Sequence, residues 1–120
     1  MGDSKLGKMA QKIRGMGRDG LRDIPRVVET LAGTFEIVTN RDTVDTLMAA
    51  DKEGELWYDD GLIIIDAHEK RNRSQWEILL HEVMHACSRT MNMDLSEDNV
   101  QLLASFMTDF LERNGMLRRD

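Results

Sequence analysis

The sequence predicts an α+β domain: a small, mostly antiparallel three-stranded sheet packed on two long C-terminal helices, preceded by a flexible basic arm. Three features carry that expectation. Short runs of β-branched, aliphatic and aromatic residues at 35–39, 55–58 and 62–66 are separated by turn residues, among them Asp60-Gly61. From Ser74 onward, apolar residues recur at helical spacing in two long stretches with a break at 92–95. The first 22 residues hold Gly2, Gly7, Gly15, Gly17 and Gly20, and six Lys or Arg against two Asp.

A chain of 120 residues supports one hydrophobic core and not two. The expected division is therefore an arm over residues 1–22 and a single domain over 23–120. Hydrophobic and charged contents of 41% and 32% are those of a soluble globular protein. Cys87 is the single cysteine, which excludes an internal disulfide and fits a reducing compartment. No apolar run has the length of a membrane span, and the N-terminus lacks a secretory apolar segment, so the cytoplasm is the expected location. The net charge of −6 is uneven: residues 1–22 carry +4, while ten Lys/Arg and twenty Asp/Glu give the remainder −10. An acidic body repels nucleic acid. Any contact with DNA, RNA or anionic lipid falls to the arm.

In the arm, Leu6, Met9, Ile13 and Met16 recur at helical spacing beside Lys5, Lys8 and Lys12. Glycines in so short a helix cost about 1 kcal/mol each, which favours a mobile, solvated segment over an amphipathic helix. Pro25 suits the first turn of a short helix over residues 25–31, ended by Gly33. Residues 35–39 form a strand. Asn40 or Asp42 caps a short helix reaching about Ala50. Strands at 55–58 and 62–66 follow, joined at Asp60-Gly61. The run Leu62-Ile63-Ile64-Ile65 is apolar on both faces, so the sheet needs helix on one side and partial cover by loop on the other. After a charged loop at 69–73, Ser74 and Glu77 form a capping box that starts a helix at Ser74 and carries it to about Met91. Ser96 caps the second helix, which reaches about Arg113 and ends at Asn114-Gly115.

The chemistry lies in the first long helix, in His81-Glu82-Val83-Met84-His85. At 100° per residue, His85 falls about 40° from His81 and one turn along, and Glu82 falls at about 100°. Both imidazoles can reach one metal ion with a carboxylate beside it. Trp76, Leu79, Leu80, Val83, Met84 and Cys87 fall at about 160–300° on the same wheel, a separate packing face; Cys87 reads as a small core residue there, not a ligand. Two histidines hold zinc poorly, and a catalytic site takes three protein ligands plus water. Glu97 is the candidate third ligand. It lies on the edge of the apolar stripe Val100, Leu103, Ala104, Met107, Phe110 and Leu111, where a carboxylate needs a partner. Asp98 points about 100° away, and Asp94 lies in the turn. In this reading zinc acidifies its bound water and Glu82 is the general base. Tyr58 and His68 are candidates for a second electrophile at the tetrahedral intermediate, although a sheet-edge tyrosine and a surface histidine are the simpler readings. A polar helix face that binds nothing is the alternative for the whole motif.

Over residues 79–111 the chain resembles the gluzincin metallopeptidases, in particular the small ImmA/IrrE-like proteins of bacteriophages and other mobile elements. Leu80-His81-Glu82-Val83-Met84-His85-Ala86 and Glu97-Asp98-Asn99-Val100-Gln101 carry the likeness, about a quarter of the chain. The resemblance implies Zn2+ bound by His81, His85 and Glu97, Glu82 as general base, and a zincin-like minimal core of a small sheet followed by two helices. It implies a protein or peptide substrate, for which a transcriptional repressor is the family precedent, and a peptide lying along an edge strand such as residues 62–66. The family's second motif usually has alanine-asparagine where this chain has Val100-Gln101, and a following leucine-leucine-x-proline is missing. No helix-turn-helix domain accompanies the motif, and the basic arm has no counterpart. The competing expectation is a catalytically idle zinc-binding regulator, or a phage accessory or assembly protein. Such a protein would act through protein–protein contacts at Trp57-Tyr58 and the arm.

Overall fold

The computed structural model describes residues 24–39, 52–66 and 72–117, and of residues 72–74 the backbone. The basic arm, the helix expected to end near Ala50, and His68 lie outside these residues. In order, the described elements are β1 (Val27–Thr30), β2 (Gly33–Val38), β3 (Gly54–Trp57), a 3-10 turn (Tyr58–Asp60), β4 (Leu62–Ile65), α1 (Asn72–Thr90) and α2 (Glu97–Arg113). The class is α+β, as expected, but the sheet has four strands in the order β1-β2-β4-β3 and is mixed.

The fourth strand is β1, where a short helix was expected at 25–31. Val27, Val28 and Thr30 are β-branched and favour a pleated strand, and this outweighs the permissive position of Pro25. β1 pairs antiparallel with β2, with Thr30 opposite Gly33. The turn is closed by Thr30, whose Oγ1 accepts from Ala32 N at 2.9 Å and donates to Gly33 O at 2.9 Å. Gly33, at φ 121°, supplies a conformation closed to other residues.

β2 pairs parallel with β4, and β3 pairs antiparallel with β4. Thus β4 is central and not an edge strand. All four of its residues are 0% exposed, and a strand apolar on both faces belongs in the interior of a sheet. The edge is taken by β3, whose residues are all half-buried. The Asp60-Gly61 turn forms as expected, with Gly61 left-handed at φ 66°. Ile63 and Ile65 join Phe35, Ile37, Ile24 and, from α1, Ile78, Leu79 and Ala86 in the core.

α1 begins at Asn72, two residues before the expected Ser74, so Ser74 lies within the helix and not at its cap. Apart from Ser88 at the turn into α2, its described buried positions are Gln75, Ile78, Leu79, Glu82 and Ala86. By the helix period these lie at about 60–160° from His81, so the packing stripe is rotated from the expected one and contains Glu82. In α2 the buried stripe is Val100, Ala104 and Thr108. Leu103, Met107 and Phe110, expected on it, are exposed, as are Leu102 and Phe106; α2 rests on α1 and leaves its other face open among the described residues.

The turn between the helices is fixed by Asn92 at φ 54°, by Met93 N donating to Ser88 O at 2.9 Å and by Ser88 Oγ donating to Met93 O at 3.0 Å. Ser96 then caps α2: its Oγ accepts from Asn99 N at 3.1 Å. Asn114 and Gly115 end α2 as expected, Gly115 at φ 71°. Removing the cap should cost about 1 kcal/mol. We expect Ser96→Ala to lower the thermal midpoint by about 4 °C in a calorimetric scan; an unchanged midpoint would show that the cap does not hold the start of α2.

Candidate metal centre

Three side chains meet where α2 starts over the middle of α1. Among the described residues, His81, His85 and Glu97 form a group whose ligand atoms all lie within 4.8 Å of one another. His85 Nε2 is 3.1 Å from His81 Nε2. The Glu97 carboxylate touches both rings: Oε1 contacts His81 Nε2, and Oε2 lies 3.1 Å from His85 Nε2. The rings pack edge to face, their centroids 4.8 Å apart.

The helices explain the convergence. His81 and His85 are one turn apart on α1. Glu97 lies seven and eleven residues before Ala104 and Thr108, both 0% exposed, so all three leave α2 on the same side, toward α1. At the first turn of the helix Glu97 escapes burial, with its side chain 69% exposed, and the N-terminal dipole favours its negative charge. Glu97, the expected third ligand, stands beside both histidines. Asp98 and Asp94 are exposed and take no part in the cleft lining.

The donor set fits zinc. Tetrahedral bonds of about 2.1 Å set ligand atoms about 3.4 Å apart, close to the 3.1 Å separations seen here. Two imidazole nitrogens and one carboxylate are a donor set that could hold such an ion with a fourth position left for water.

Glu82 is 8% exposed and lies on the wall of an open cleft of about 920 Å3 lined also by His81, His85 and Glu97, and by Gly54, Glu55 and Leu56 of β3. The cleft is the groove that α1 leaves between the sheet edge and α2. β3 approaches α1 closely at Gly54, where an added Cβ would sit 2.7 Å from Ile78 Cγ2 and 2.9 Å from Glu82 Oε2. Glycine is required there by space, not by backbone angle. Burial pushes the Glu82 carboxyl above its ordinary value; His81 and His85 oppose this, and the Glu97 and Glu55 charges add to it. For Glu97 desolvation is the largest single influence and raises the pKa, but the His85 hydrogen bond, the histidine charges and the His81 hydrogen bond together outweigh it, and its pKa is lowered.

Tyr58 is held away from the cleft. Its hydroxyl shares a 2.5 Å hydrogen bond with Thr90, its ring lies against Phe35, and the Arg89 guanidinium stacks over it at 4.2 Å. Cys87 is half-buried and outside the lining. The sequence placed only His81, Glu82, His85 and Glu97 of the cleft lining at the site; among the residues it missed are Gly54, Glu55, Glu77 and Gln101. Gly54 and Glu55 reach the site through sheet order, for which the chain gave no local signal. Glu77 was read as half of a capping box and Gln101 as part of the motif at the start of the second helix, although each is one turn from a candidate ligand: Glu77 precedes His81 by four, and Gln101 follows Glu97 by four.

Compared with protein-family models, with curated proteins and with solved structures, the chain matches none.

The raised Glu82 pKa has a consequence for stability. In the metal-free protein the folded state holds the Glu82 proton to higher pH than the unfolded chain does. Stability from this residue is therefore greatest below the unfolded carboxyl value and is lost as pH rises through the folded one. Above that point Glu82 is a buried charge that a neutral amide would not impose. Glu82→Gln should thus raise the midpoint of the chelator-treated protein at neutral pH, with the gain shrinking toward pH 4. Equal stability of the two proteins across that range would contradict the burial of Glu82.

Proposed function

We propose that this chain is a zinc-dependent metallopeptidase of the gluzincin kind, hydrolysing a peptide bond of a protein substrate in the cleft between β3 and α2. The observation that carries the reading is the convergence of His81 Nε2, His85 Nε2 and the Glu97 carboxylate beside the buried carboxyl of Glu82. The resemblance of residues 79–111 to ImmA/IrrE-like proteins, and a zincin-like order of sheet followed by two helices, support it further.

When bound, zinc supplies a water of near-neutral pKa and polarises a carbonyl oxygen. His81, His85 and Glu97 would hold the ion in the cleft. Glu82 receives the water's proton at its carboxylate and returns it to the leaving amine. Desolvation raises the Glu82 pKa and so strengthens that basicity, against the lowering influence of His81 and His85. The substrate backbone adds to β3, the sheet edge that lines the cleft, by main-chain hydrogen bonding. This replaces residues 62–66, whose backbone is already paired on both sides.

The competing reading, an idle zinc-binding regulator or phage accessory protein, draws on a different observation. Leu102, Leu103, Phe106, Met107 and Phe110 are exposed along α2, a stripe of the kind that marks protein contacts. The two readings separate on Glu82. Zinc-loaded protein incubated with a degenerate peptide library should yield cleavage products by mass spectrometry. Glu82→Gln should lower the rate by about 10²–10⁴-fold while retaining zinc. No cleavage by the zinc-loaded protein, or undiminished cleavage by Glu82→Gln, would overturn the peptidase reading. Glu97→Ala should weaken zinc by more than the about 10–100-fold that loss of a supporting hydrogen bond costs, and Asp98→Ala should leave it unchanged; the reverse order would reassign the third ligand.

A further inference from the structure

We propose that Arg89 is a specificity-determining residue, which takes a carboxylate of the peptide substrate about two residues from the scissile bond. The inference rests on the peptidase reading for the place of that bond, but not for the carboxylate site itself.

Arg89 stands on the metal face of α1. On the helix wheel it falls at about 80° from His81, between His85 and Glu82, and it lines the cleft. It lies one turn beyond His85, about 6 Å along the axis. β3 runs beside α1 in the same direction: Gly54 packs against Ile78 and Glu82, and Tyr58, just past the strand, reaches Thr90 and Arg89. A peptide added to β3 therefore spans the candidate metal ligands and the guanidinium. At about 3.3 Å per extended residue, the 6 Å step is about two residues of that peptide.

The guanidinium is fixed in place, yet its hydrogen-bonding edges are open. Its central carbon lies 4.2 Å from the centre of the Tyr58 ring. That ring is anchored in turn by the hydrogen bond to Thr90 and by Phe35. Among the described residues its ion pair is with Asp59, Nη2 to Oδ1 at 3.7 Å, too long for a hydrogen bond. No hydrogen bond within the described residues occupies its N–H groups, and the side chain is 59% exposed. A planar fork of this kind receives a carboxylate through two parallel bonds. Tyr58 thus serves the cleft from behind, as the platform that sets the plane of Arg89.

The charge of the remaining lining makes the position selective. Glu53, Glu55, Glu77, Glu82 and Glu97 also face the cleft and repel an anionic side chain. Lys52 lies two residues before Gly54, at the opposite end of β3, and pairs with Glu55 at 3.7 Å. A carboxylate is accepted beside Arg89 and rejected along the acidic stretch, which sets the register of the peptide.

The test uses degenerate libraries of amide-capped peptides in which Glu or Gln is scanned through otherwise neutral positions, and the same peptides as free acids. Cleavage by zinc-loaded protein is read by mass spectrometry, and retention by zinc-loaded Glu82→Gln by ultrafiltration. A carboxylate near the cleaved bond should be favoured about tenfold over its amide, the low end for a hydrogen bond to a charged group. Glu over Gln identifies a side-chain carboxylate; free acid over amide identifies the C-terminus. Arg89→Gln should remove the preference, whereas a merely structural loss would lower both members of a pair and leave their ratio. Asp59→Asn, which removes a competing carboxylate, should raise the ratio about 1.5–5-fold. A protein that favours neither carboxylate, a preference that survives Arg89→Gln, or a ratio that falls in Asp59→Asn would overturn the proposal. Cleavage without the preference would leave the peptidase reading standing. An Arg89-dependent preference in retention, without cleavage, would uphold the carboxylate site and count against that reading.

Discussion

Helix α1 has two partners, and the groove between them depends on how its surface is divided. One stripe, Ile78, Leu79, Glu82 and Ala86, packs toward the sheet; the flank carrying Glu77 and His81 meets Gln101, Ser105 and Glu97 of α2. His81 and His85 stand at the boundary of these two surfaces. A helix packed on the sheet alone would leave the histidines on an open face with no third ligand. The tight turn at Asn92 and Ser96 brings the first turn of α2 back over the fourth turn of α1, and Glu97 is the first residue of that helix.

Glu82 shows how the site departs from what folding alone would select. A carboxyl on the sheet-facing stripe of a helix is costly, and Gly54 lets β3 close over it without a side chain to intervene. Its environment pushes the pKa up by burial while two imidazoles pull it down. A perturbed carboxyl beside groups that could hold a metal is what the proposed catalytic reading calls for. The remaining polar residues at the junction of the helices, Glu77, Gln101 and Ser105, are joined to one another and to His81 by hydrogen bonds, so the polar seam between α1 and α2 leads into the site.

Much of the site was legible in the sequence because it is local. The histidine pair, Glu82 and the Ser96 cap are set by helical periodicity and by a turn of known length, and Glu97 follows from them. The sheet was less legible. Leu62-Ile63-Ile64-Ile65 signals burial on both faces, yet the central place of β4 between β2 and β3 arises from pairings across the chain that no single segment encodes. At 27–30, β-branched residues and Pro25 point to different elements, and the strand wins through pairing with β2. On α2 the apolar residues cover more than half of the helix surface, so periodicity could not tell the stripe that meets α1 from the stripe left exposed; Val100, Ala104 and Thr108, small enough for close approach, are the ones buried. The cleft wall at Gly54 and Glu55 was invisible for the same reason as the sheet order.

The central claim is that His81, His85 and Glu97 bind one zinc ion, and zinc-edge X-ray absorption on protein loaded with one equivalent tests it most directly. The account predicts a first shell of nitrogen and oxygen at about 2.0–2.1 Å, with the outer-shell scattering of two imidazoles and no sulfur. A sulfur at about 2.3 Å, which would bring Cys87 into the shell, or a spectrum of hydrated zinc without imidazole scattering, would contradict it.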